Sequence, residues 1–284
     1  MEIITRQQKM ASVAKKLRRE NRVLGFVPTM GALHEGHLSL IQKARQMTDE
    51  VIVSIFVNPT QFNEGTDFEA YPRDLTADAE ILSPFDVDYI YAPDSSEVYG
   101  DEYSTFVTVD DIADKLEGSS RPGHFRGVAT IVTILFNTIR PDFAFFGQKD
   151  AQQVAVIRRL VRDLRFDTEI IVLPIVREDS GLARSSRNER LSAADRKSAA
   201  VIFRALSAAN EMAMDGERSA GNITDKVREV IETEPSGSID YIALVNKESL
   251  DPIEKIGKEP ALLAVAVRFG DIRLIDNIVL NEEE

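Results

Sequence analysis

The sequence predicts an α/β protein with a doubly wound parallel sheet in residues 1–176 and a smaller α+β domain in residues 177–284. In the first part, strand-like apolar segments alternate with helix-like segments, which is the pattern of a parallel sheet covered by helices. In the second part, helical segments precede three consecutive strand-like segments, as in a small antiparallel sheet. Polar residues follow several predicted parallel strands, and ligands bind at this edge of such sheets.

The elements of the first part follow from apolar periodicity and from the positions of proline and glycine. Helices are predicted at residues 6–20, 75–83, 128–138 and 151–164, with another that begins in the stretch containing two histidines, 30–37. Strands are predicted at residues 23–27, 51–57, 87–91, 143–146 and 168–174, and residues 92–104 are predicted to be irregular. The apolar run at 51–57 indicates a strand buried on both faces.

The second part is read in the same way. Ser192 can cap a helix that runs to about Met214, and another helix is predicted at residues 219–233. Strands are predicted at residues 239–245, 261–267 and 273–280, and the Gly270-Asp271 pair between the last two indicates a hairpin.

Composition excludes several classes of protein. The chain has 284 residues, no cysteine and a formal net charge of −13. The absence of cysteine rules out disulfides, and the acidic balance argues against nucleic-acid binding, which needs a positive surface. No apolar run reaches the roughly 18 residues of a membrane span, and residues 1–20 lack the apolar core of a secretion signal. We therefore expect a cytoplasmic protein that binds neither nucleic acid nor membranes.

The stretch Met30–His37 joins a predicted strand to a predicted helix. Its two histidines, His34 and His37, are three residues apart, so they face the same way on a helical turn. Each can donate a hydrogen bond to a phosphate oxygen, and the helix N-terminus attracts phosphate as well. The alternative is that they are surface or capping residues. Zinc is disfavoured, because the chain has only three histidines and no cysteine.

Polar side chains also follow two other predicted strands. Asn58 and Gln61 come after one of them, and Lys149, Asp150 and Gln153 come after another. A lysine at a helix N-terminus is favourable only if an anion is bound there too, so Lys149 indicates an anion site. The alternative for the amides is turn capping, and for Asp150 it is capping of the next helix.

Two further segments are rich in arginine. Residues 121–127, RPGHFRG, form a basic turn in an acidic protein, and residues 177–190 contain four arginines among small hydroxyl residues. Serine and arginine interleaved near a domain junction suit a clamp on a polyphosphate. A solvated loop is the alternative for residues 177–190.

The motifs together resemble a known family. Met30–His37 resembles the HIGH signature of nucleotidylyltransferases and class I aminoacyl-tRNA synthetases. With FVNPTQF, YPRD, RPGHFRGV, FFGQKDAQQ and GLARSSRN, in this order, the chain resembles the pantothenate synthetase (pantoate–β-alanine ligase) family through residue 190. The resemblance implies a Rossmann-like fold of the HIGH superfamily. It also implies that ATP drives the joining of pantoate to β-alanine through a pantoyl-adenylate, with AMP and pyrophosphate released.

The resemblance also implies roles for individual residues. ATP would be bound by Met30, Gly31, Ala32, Leu33, His34, Glu35, Gly36, His37, Gly147, Gln148, Lys149, Asp150, Val176, Arg184, Ser185, Ser186 and Arg187. The catalytic set would be His34, His37, Lys149, Ser185, Ser186 and Arg187. In the substrate-binding set, Gln61 and Gln153 would bind pantoate, with Gln61 also near the β-alanine amine. Asn58 would support a phosphate or metal contact, and Arg121 would belong to the active-site rim. Mg²⁺ would be carried by the ATP phosphates rather than by a protein metal site, and the molecule would be a homodimer.

Two positions depart from the usual family pattern. Arg184 stands where methionine is usual, a few residues after an additional Ser180, and Gln148 stands where glutamate is common. The chain has no G-x-x-x-x-G-K-[ST] motif, so γ-phosphoryl transfer of the P-loop kind is disfavoured. Two other functions stay open at this point. One is a nucleotidylyltransferase that keeps AMP or CMP on its product, and the other is a nucleotide-binding regulatory protein without turnover.

Overall fold

The computed structural model describes residues 1–62, 68–69 and 71–281. The chain divides into two compact units, one of residues 1–147 and 156–174 and the other of residues 148–155 and 175–284. This division differs from the predicted boundary after residue 176, because the second unit also takes residues 148–155 and 175–176. Residues 148–155 belong to the second unit because Asn277, near the end of the chain, hydrogen-bonds to the backbone of residues 148 and 149.

The described part of the first unit contains a six-stranded parallel sheet, which confirms the predicted α/β class. Its strands are β1 (Glu2–Ile4), β2 (Leu24–Thr29), β3 (Glu50–Ile55), β4 (Tyr89–Tyr91), β5 (Phe143–Gly147) and β6 (Glu169–Leu173). Their order is β1-β4-β3-β2-β5-β6. Strand β1 was not predicted, because three residues are too few to show a periodic pattern.

The sheet changes direction between β2 and β5. From β2 through β3 to β4, each successive strand lies nearer one edge of the sheet, whereas β5 and then β6 lie towards the other edge. Strands β2 and β3 pair over six residues, but β2 and β5 pair only at Gly25–Phe143 and Phe26–Ala144. The two central strands therefore no longer pair with each other at their carboxyl ends, although each stays paired with its other neighbour. This is the topological switch point at which doubly wound sheets bind ligands.

Helices of the first unit pack around this sheet. They are α1 (Gln7–Arg19), α2 (Glu35–Met47), α3 (Leu75–Leu82), α4 (Ser95–Val98), α5 (Leu116–Ser120), α6 (His124–Ile139) and α7 (Ala151–Leu164), of which α7 begins in residues assigned to the second unit. The central strands are buried on both faces, as predicted, and Val51, Ile52 and Val53 are inaccessible to solvent.

Two predictions for this unit are wrong in detail. Helix α6 begins at His124 rather than at Val128, because Gly123 at φ +81° turns the chain into the helix earlier. Residues 92–104 are not wholly irregular, since they contain the single turn α4.

The second unit has the predicted α+β architecture. Its helices are α8 (Ala193–Ala199), α9 (Val201–Met214) and α10 (Ala220–Glu232), and its strands are β7 (Gly237–Asn246), β8 (Ala261–Phe269) and β9 (Ile272–Leu280). The strands pair antiparallel in the order β7-β8-β9. Ser192 caps α8 by accepting from the Asp195 amide, but the predicted single helix to Met214 is wrong. The segment is instead two helices, separated by the single turn residue Ala200.

An apolar cluster holds the second unit together. One face of β8 and one face of α10 contribute to it, with Val265 and Val267 on the strand and Ile223 and Val227 on the helix. Each of these four side chains is completely buried, so the helix and the sheet share one core. No helix among the described residues has the length and apolarity required to cross a membrane.

Candidate functional site

The loop after β2 is shaped by a buried carboxylate. Asp78, on α3, is 4% exposed and accepts hydrogen bonds from the backbone amides of Ala32 (3.2 Å) and Leu33 (2.9 Å). Gly31 and Ala32 both lie in the left-handed region, at φ +82° and +51°. A side chain at position 31 would come within 2.6 Å of the Asp78 carboxylate, so glycine is required there. Asp78 was not predicted as a site residue, since only the folded chain brings it to this loop.

The two histidines begin helix α2. The Gly36 amide donates to His34 Nδ1 (3.1 Å), and the His34 amide donates to His37 Nδ1 (3.3 Å). The rings lie 4.2 Å apart between centroids. Because each Nδ1 is an acceptor, each neutral ring carries its proton on Nε2. Both histidines therefore have the alternative capping role, and on each neutral ring the proton lies on Nε2.

The polar residues after β3 reach the same loop. Asn58 caps a 3₁₀ turn, Pro59–Gln61, and its Nδ2 donates to Gln61 Oε1 (3.0 Å). Gln61 Nε2 in turn lies 3.0 Å from Met30 Sδ, in the loop after β2. The structure therefore brings Asn58, Gln61 and Met30 together. That Asn58 and Gln61 face the two histidines stays a prediction.

Arg121 joins this group through a histidine that was not predicted as a site residue. His124 is buried, and its Nδ1 donates to the Gln61 carbonyl oxygen (2.8 Å). Its Nε2 is then the acceptor, and Arg121 Nη1 lies 3.3 Å from it. The only sequence signal for His124 was its place in the basic turn 121–127.

In the second unit, Asn277 holds the turn that contains Lys149. Residues Gln148–Asp150 form a 3₁₀ turn. Asn277 Nδ2 donates to the carbonyl oxygens of Gln148 (3.1 Å) and Lys149 (3.0 Å), and Gln148 Nε2 donates to Asn277 Oδ1 (2.9 Å). The Gln148 amide, one of the two departures from the family pattern, thus supplies a donor that a carboxylate would lack. Lys149 Nζ lies 3.8 Å from the Asp150 carboxylate.

Residues 176–190 are hydrogen-bonded within the second unit rather than only solvated. Val176 accepts from the Arg184 amide (2.9 Å), and Ser185 Oγ accepts from the Arg187 amide (3.3 Å). A 3₁₀ turn then runs from Ser186 to Arg190. Arg184 itself lies 3.8 Å from Glu178, so the arginine that replaces methionine has an acidic neighbour.

Two polar contacts anchor this segment. Asn188 is buried, and its Nδ2 donates to Glu178 Oε1 (2.9 Å) and to the Ala183 carbonyl oxygen (3.0 Å). Glu178 also accepts from Arg196 Nη2 (2.8 Å). The hydrogen bonds of Asn188 and Glu178 thus fix the backbone of the segment that contains these arginines and serines.

A buried ion pair supports the same segment from β9. Arg177 pairs with Asp276 through two hydrogen bonds of 2.6 and 3.0 Å, and its guanidinium lies 4.2 Å from the Phe203 ring centroid. Asp276 precedes Asn277, which holds the turn at Gln148. Strand β9 therefore supports both loops of the second unit that were predicted to bind ATP.

The predicted site residues fall into two sets, each within one unit. The first unit holds Met30, Gly31, Ala32, Leu33, His34, Glu35, Gly36, His37, Asn58, Gln61, Arg121 and Gly147. The second unit holds Gln148, Lys149, Asp150, Gln153, Val176, Arg184, Ser185, Ser186 and Arg187. Gln153 lies in the first turn of α7. Within residues 1–62, 68–69 and 71–281, no group of three histidine or acidic side chains could hold a metal ion.

Comparison with known proteins connects this geometry to one family. The family model described as Pantoate-beta-alanine ligase matches residues 2–279. Pantothenate synthetase from Heliobacterium modesticaldum is 49% identical over 280 residues, covering 99% of each chain. That from Caldicellulosiruptor saccharolyticus is 48% identical over 281 residues, again covering 99% of each chain.

Solved structures agree with these relatives. Pantothenate synthetase from Thermus thermophilus matches with a TM-score of 0.91 and 42% identity, covering 98% of this chain and 99% of that one. Pantoate-beta-alanine ligase from Francisella tularensis, complexed with beta-gamma ATP and beta-alanine, matches with a TM-score of 0.81 and 37% identity. That match covers 100% of this chain and 99% of the other.

The contacts of Asp78 predict a stability effect. Asp78→Ala leaves two loop amides without their acceptor, so the free energy of unfolding should fall by roughly 2–4 kcal/mol. Asp78→Asn keeps one acceptor oxygen and should cost less. Urea unfolding measures both, with the exposed Asp101→Ala as a control that should stay within about 0.5 kcal/mol of wild type. An Asp78→Ala protein as stable as the control would show that these two hydrogen bonds do not support the loop.

Glu178 predicts a pH dependence. Burial alone raises the pKa of this carboxyl, but hydrogen bonds from Arg196 and Asn188 outweigh burial and lower the pKa below its usual value. The ionised form is therefore favoured by folding. Its contribution is complete above the unfolded-state pKa of about 4.3 and is lost as the pH falls through the lower folded-state pKa.

The stability difference between wild type and Glu178→Gln should accordingly be largest near neutral pH and shrink below about pH 4. Urea unfolding at a series of pH values measures it. The exposed Glu211→Gln should show no such trend. A difference that is constant down to pH 3 would contradict the assignment of the lowered pKa to Glu178.

Proposed function

Because the chain belongs to the pantoate-beta-alanine ligase family, we propose that it uses ATP to condense pantoate with β-alanine to pantothenate. The observation that carries this proposal is the match of residues 2–279, which includes both units and every residue of the candidate site. The relative from Francisella tularensis is complexed with beta-gamma ATP and beta-alanine, which supports ATP and β-alanine as ligands of this chain.

The chemistry that suits these residues has two steps. In the first, a carboxylate oxygen of pantoate attacks the α-phosphorus of ATP, and the bond from that phosphorus to pyrophosphate breaks. In the second, the free amine of β-alanine attacks the acyl carbon of the adenylate, AMP leaves, and the amine loses a proton. A carboxylate needs no base to become a nucleophile, so the protein has to bind, orient and stabilise charge.

The Nε2–H groups of His34 and His37 suit the first step. Both point their Nδ1 atoms into the cap of α2, so the only proton on each neutral ring lies on Nε2. We assign these donors to phosphate oxygens of ATP, with His37 nearest the leaving pyrophosphate. The N-terminus of α2 adds a favourable electrostatic environment for the same phosphates.

Cationic and hydroxyl groups of the second unit would offset the remaining charge of the triphosphate. Lys149 stands on a turn that Asn277 holds, and Arg187 stands on the turn that Ser185 caps. Fixed backbone positions lower the cost of orienting these long side chains during the reaction. We propose that Lys149 and the segment Ser185–Arg187 bind phosphate oxygens, and that Val176 and Asp150 contact the nucleoside.

Mg²⁺ fits this scheme as a companion of the nucleotide. The described residues contain no ready cluster of three acidic or histidine ligands, whereas a triphosphate supplies the oxygen ligands that Mg²⁺ prefers. Bound there, Mg²⁺ would neutralise phosphate charge. The expected homodimer and cytoplasmic location also remain proposals, and light scattering of the purified chain tests the first.

Pyrophosphate exchange tests the proposed function. With pantoate and Mg-ATP but no β-alanine, labelled pyrophosphate should enter ATP and no ADP should form, because adenylate formation is reversible and leaves the β–γ bond intact. Addition of β-alanine should release free AMP. A nucleotidylyltransferase would keep the nucleotide on its product, and a regulatory protein would bind ATP without exchange. Exchange that needs β-alanine, or stoichiometric ADP, would contradict the adenylate mechanism.

Two substitutions of His37 separate its capping role from its chemical role. His37→Asn keeps an acceptor near the position of Nδ1 but loses the Nε2–H donor, so pyrophosphate exchange should fall by roughly 10²- to 10⁴-fold with little loss of stability. His37→Gln places an amide donor near the position of Nε2 and should retain more activity than His37→Asn. Equal activity of the two variants would mean that the Nε2–H group does not act in the reaction.

A further inference from the structure

The direction of the Gln61 amide is set by a chain of hydrogen bonds that begins at a backbone carbonyl. Asn58 Nδ2 donates to the Gly127 carbonyl oxygen (3.1 Å). A carbonyl oxygen can only accept, so the nitrogen end of the Asn58 amide must face Gly127. The second N–H of Asn58 then donates to Gln61 Oε1 (3.0 Å). With its oxygen occupied, Gln61 presents its NH₂ group at the other end.

The oxygen end of Asn58 is held by two hydroxyl groups. Tyr99 donates to Asn58 Oδ1 at 2.7 Å, and Thr60 Oγ1 donates to the same oxygen at 3.0 Å. Burial raises the pKa of Tyr99 to about 12, so its hydroxyl keeps its proton at neutral pH. Asn58 is 1% exposed, and both of its N–H groups and its oxygen are already bonded within the chain.

Close packing prevents this arrangement from relaxing. A methyl group at Gly127 would lie 2.4 Å from the Thr60 carbonyl oxygen, so helix α6 touches the 3₁₀ turn directly. On the other side, Tyr99 packs its ring 4.8 Å from that of Tyr103. The nitrogen end of Gln61 lies 3.0 Å from Met30 Sδ, and a thioether is a weak acceptor. A stronger acceptor from a ligand could therefore replace it.

We propose that Asn58 is a positioning residue rather than a substrate ligand, and that Tyr99 holds it so that Gln61 offers N–H donors to the substrate. This proposal rests on the proposed function and on the expectation, implied by the family resemblance, that Gln61 binds pantoate. The NH₂ group of Gln61 can donate to a hydroxyl or carboxylate oxygen of the substrate.

Asn58→Asp tests the relay most directly. An aspartate has no N–H to give to Gln61 Oε1, so the Gln61 amide must turn its nitrogen towards position 58 and present its oxygen to the substrate. In pyrophosphate exchange, the KM for pantoate should rise at least tenfold, while the KM for ATP should change less than twofold. Equal rises in both KM values would indicate general disruption of the site and would overturn the proposal.

Tyr99→Phe gives a second test that keeps the packing of the ring. It removes one donor to Asn58 Oδ1, so the KM for pantoate should rise roughly three- to tenfold with the KM for ATP unchanged. Tyr91→Phe is the matched control, because Tyr91 is an equally large, buried tyrosine of the same unit, on β4. It should leave both KM values unchanged.

The outcomes separate this proposal from the proposed function. If the wild-type chain shows no pantoate-dependent exchange, the proposed function is wrong. If the wild type exchanges normally and Tyr99→Phe changes the KM for pantoate by less than twofold, the relay is wrong and the function stands. If Asn58→Asp does not fold, the Tyr99→Phe result decides the question alone.

Discussion

The backbone groups at the ends of the parallel strands have to find hydrogen-bond partners once strand pairing stops, and this requirement shapes the whole site. Beyond Phe26 and Ala144, β2 and β5 no longer pair with each other. Buried loop amides and carbonyls without partners would each cost free energy, of the order of 1–3 kcal/mol. Buried side chains take their place: Asp78 accepts from the loop after β2, and His124 donates to the carbonyl oxygen of Gln61, after β3. The second unit follows the same rule, since Asn277 donates to the turn at Lys149 and Asn188 donates to Ala183.

This arrangement decides which groups remain for chemistry. When one end of a side chain hydrogen-bonds to a fixed partner, the orientation of the whole side chain is fixed. The donor or acceptor character of its other end is then fixed as well. His34 and His37 use Nδ1 for the helix cap and keep the proton on Nε2, and Gln61 gives its oxygen to Asn58 and keeps its NH₂ group. On the neutral imidazole rings and on the Gln61 amide, these other groups are hydrogen-bond donors. A set of donors in an acidic chain suits a polyanionic nucleotide and a carboxylate substrate better than any cationic ligand.

The second unit adds a rigid support for its two loops. Asp276 and Asn277 are neighbours on β9, and one forms the buried ion pair with Arg177 while the other holds the turn at Gln148. Loss of Arg177 would leave the buried Asp276 carboxylate without its cationic partner, which destabilises the fold. A two-residue element of the antiparallel sheet therefore stabilises both the segment that carries Arg187 and the turn that carries Lys149.

The sequence by itself determined the fold class and the positions of the loops that carry the site. Alternation of strands and helices requires only local periodicity, and polar residues such as Asn58 and Lys149 stand directly after apolar runs, so both signals are contained in short windows. The same windows could not reveal β1, the break at Ala200 or the early start of α6, because these depend on three-residue pairing or on single residues. Only the tertiary structure decided the roles of Asp78, His124, Tyr99 and Asn277. Their partners lie 46, 63, 41 and 129 residues away in the chain, respectively. The tertiary structure also decided the orientation of the Asn58 and Gln61 amides, because the hydrogen-bond partner that fixes Asn58 lies on another element of the fold.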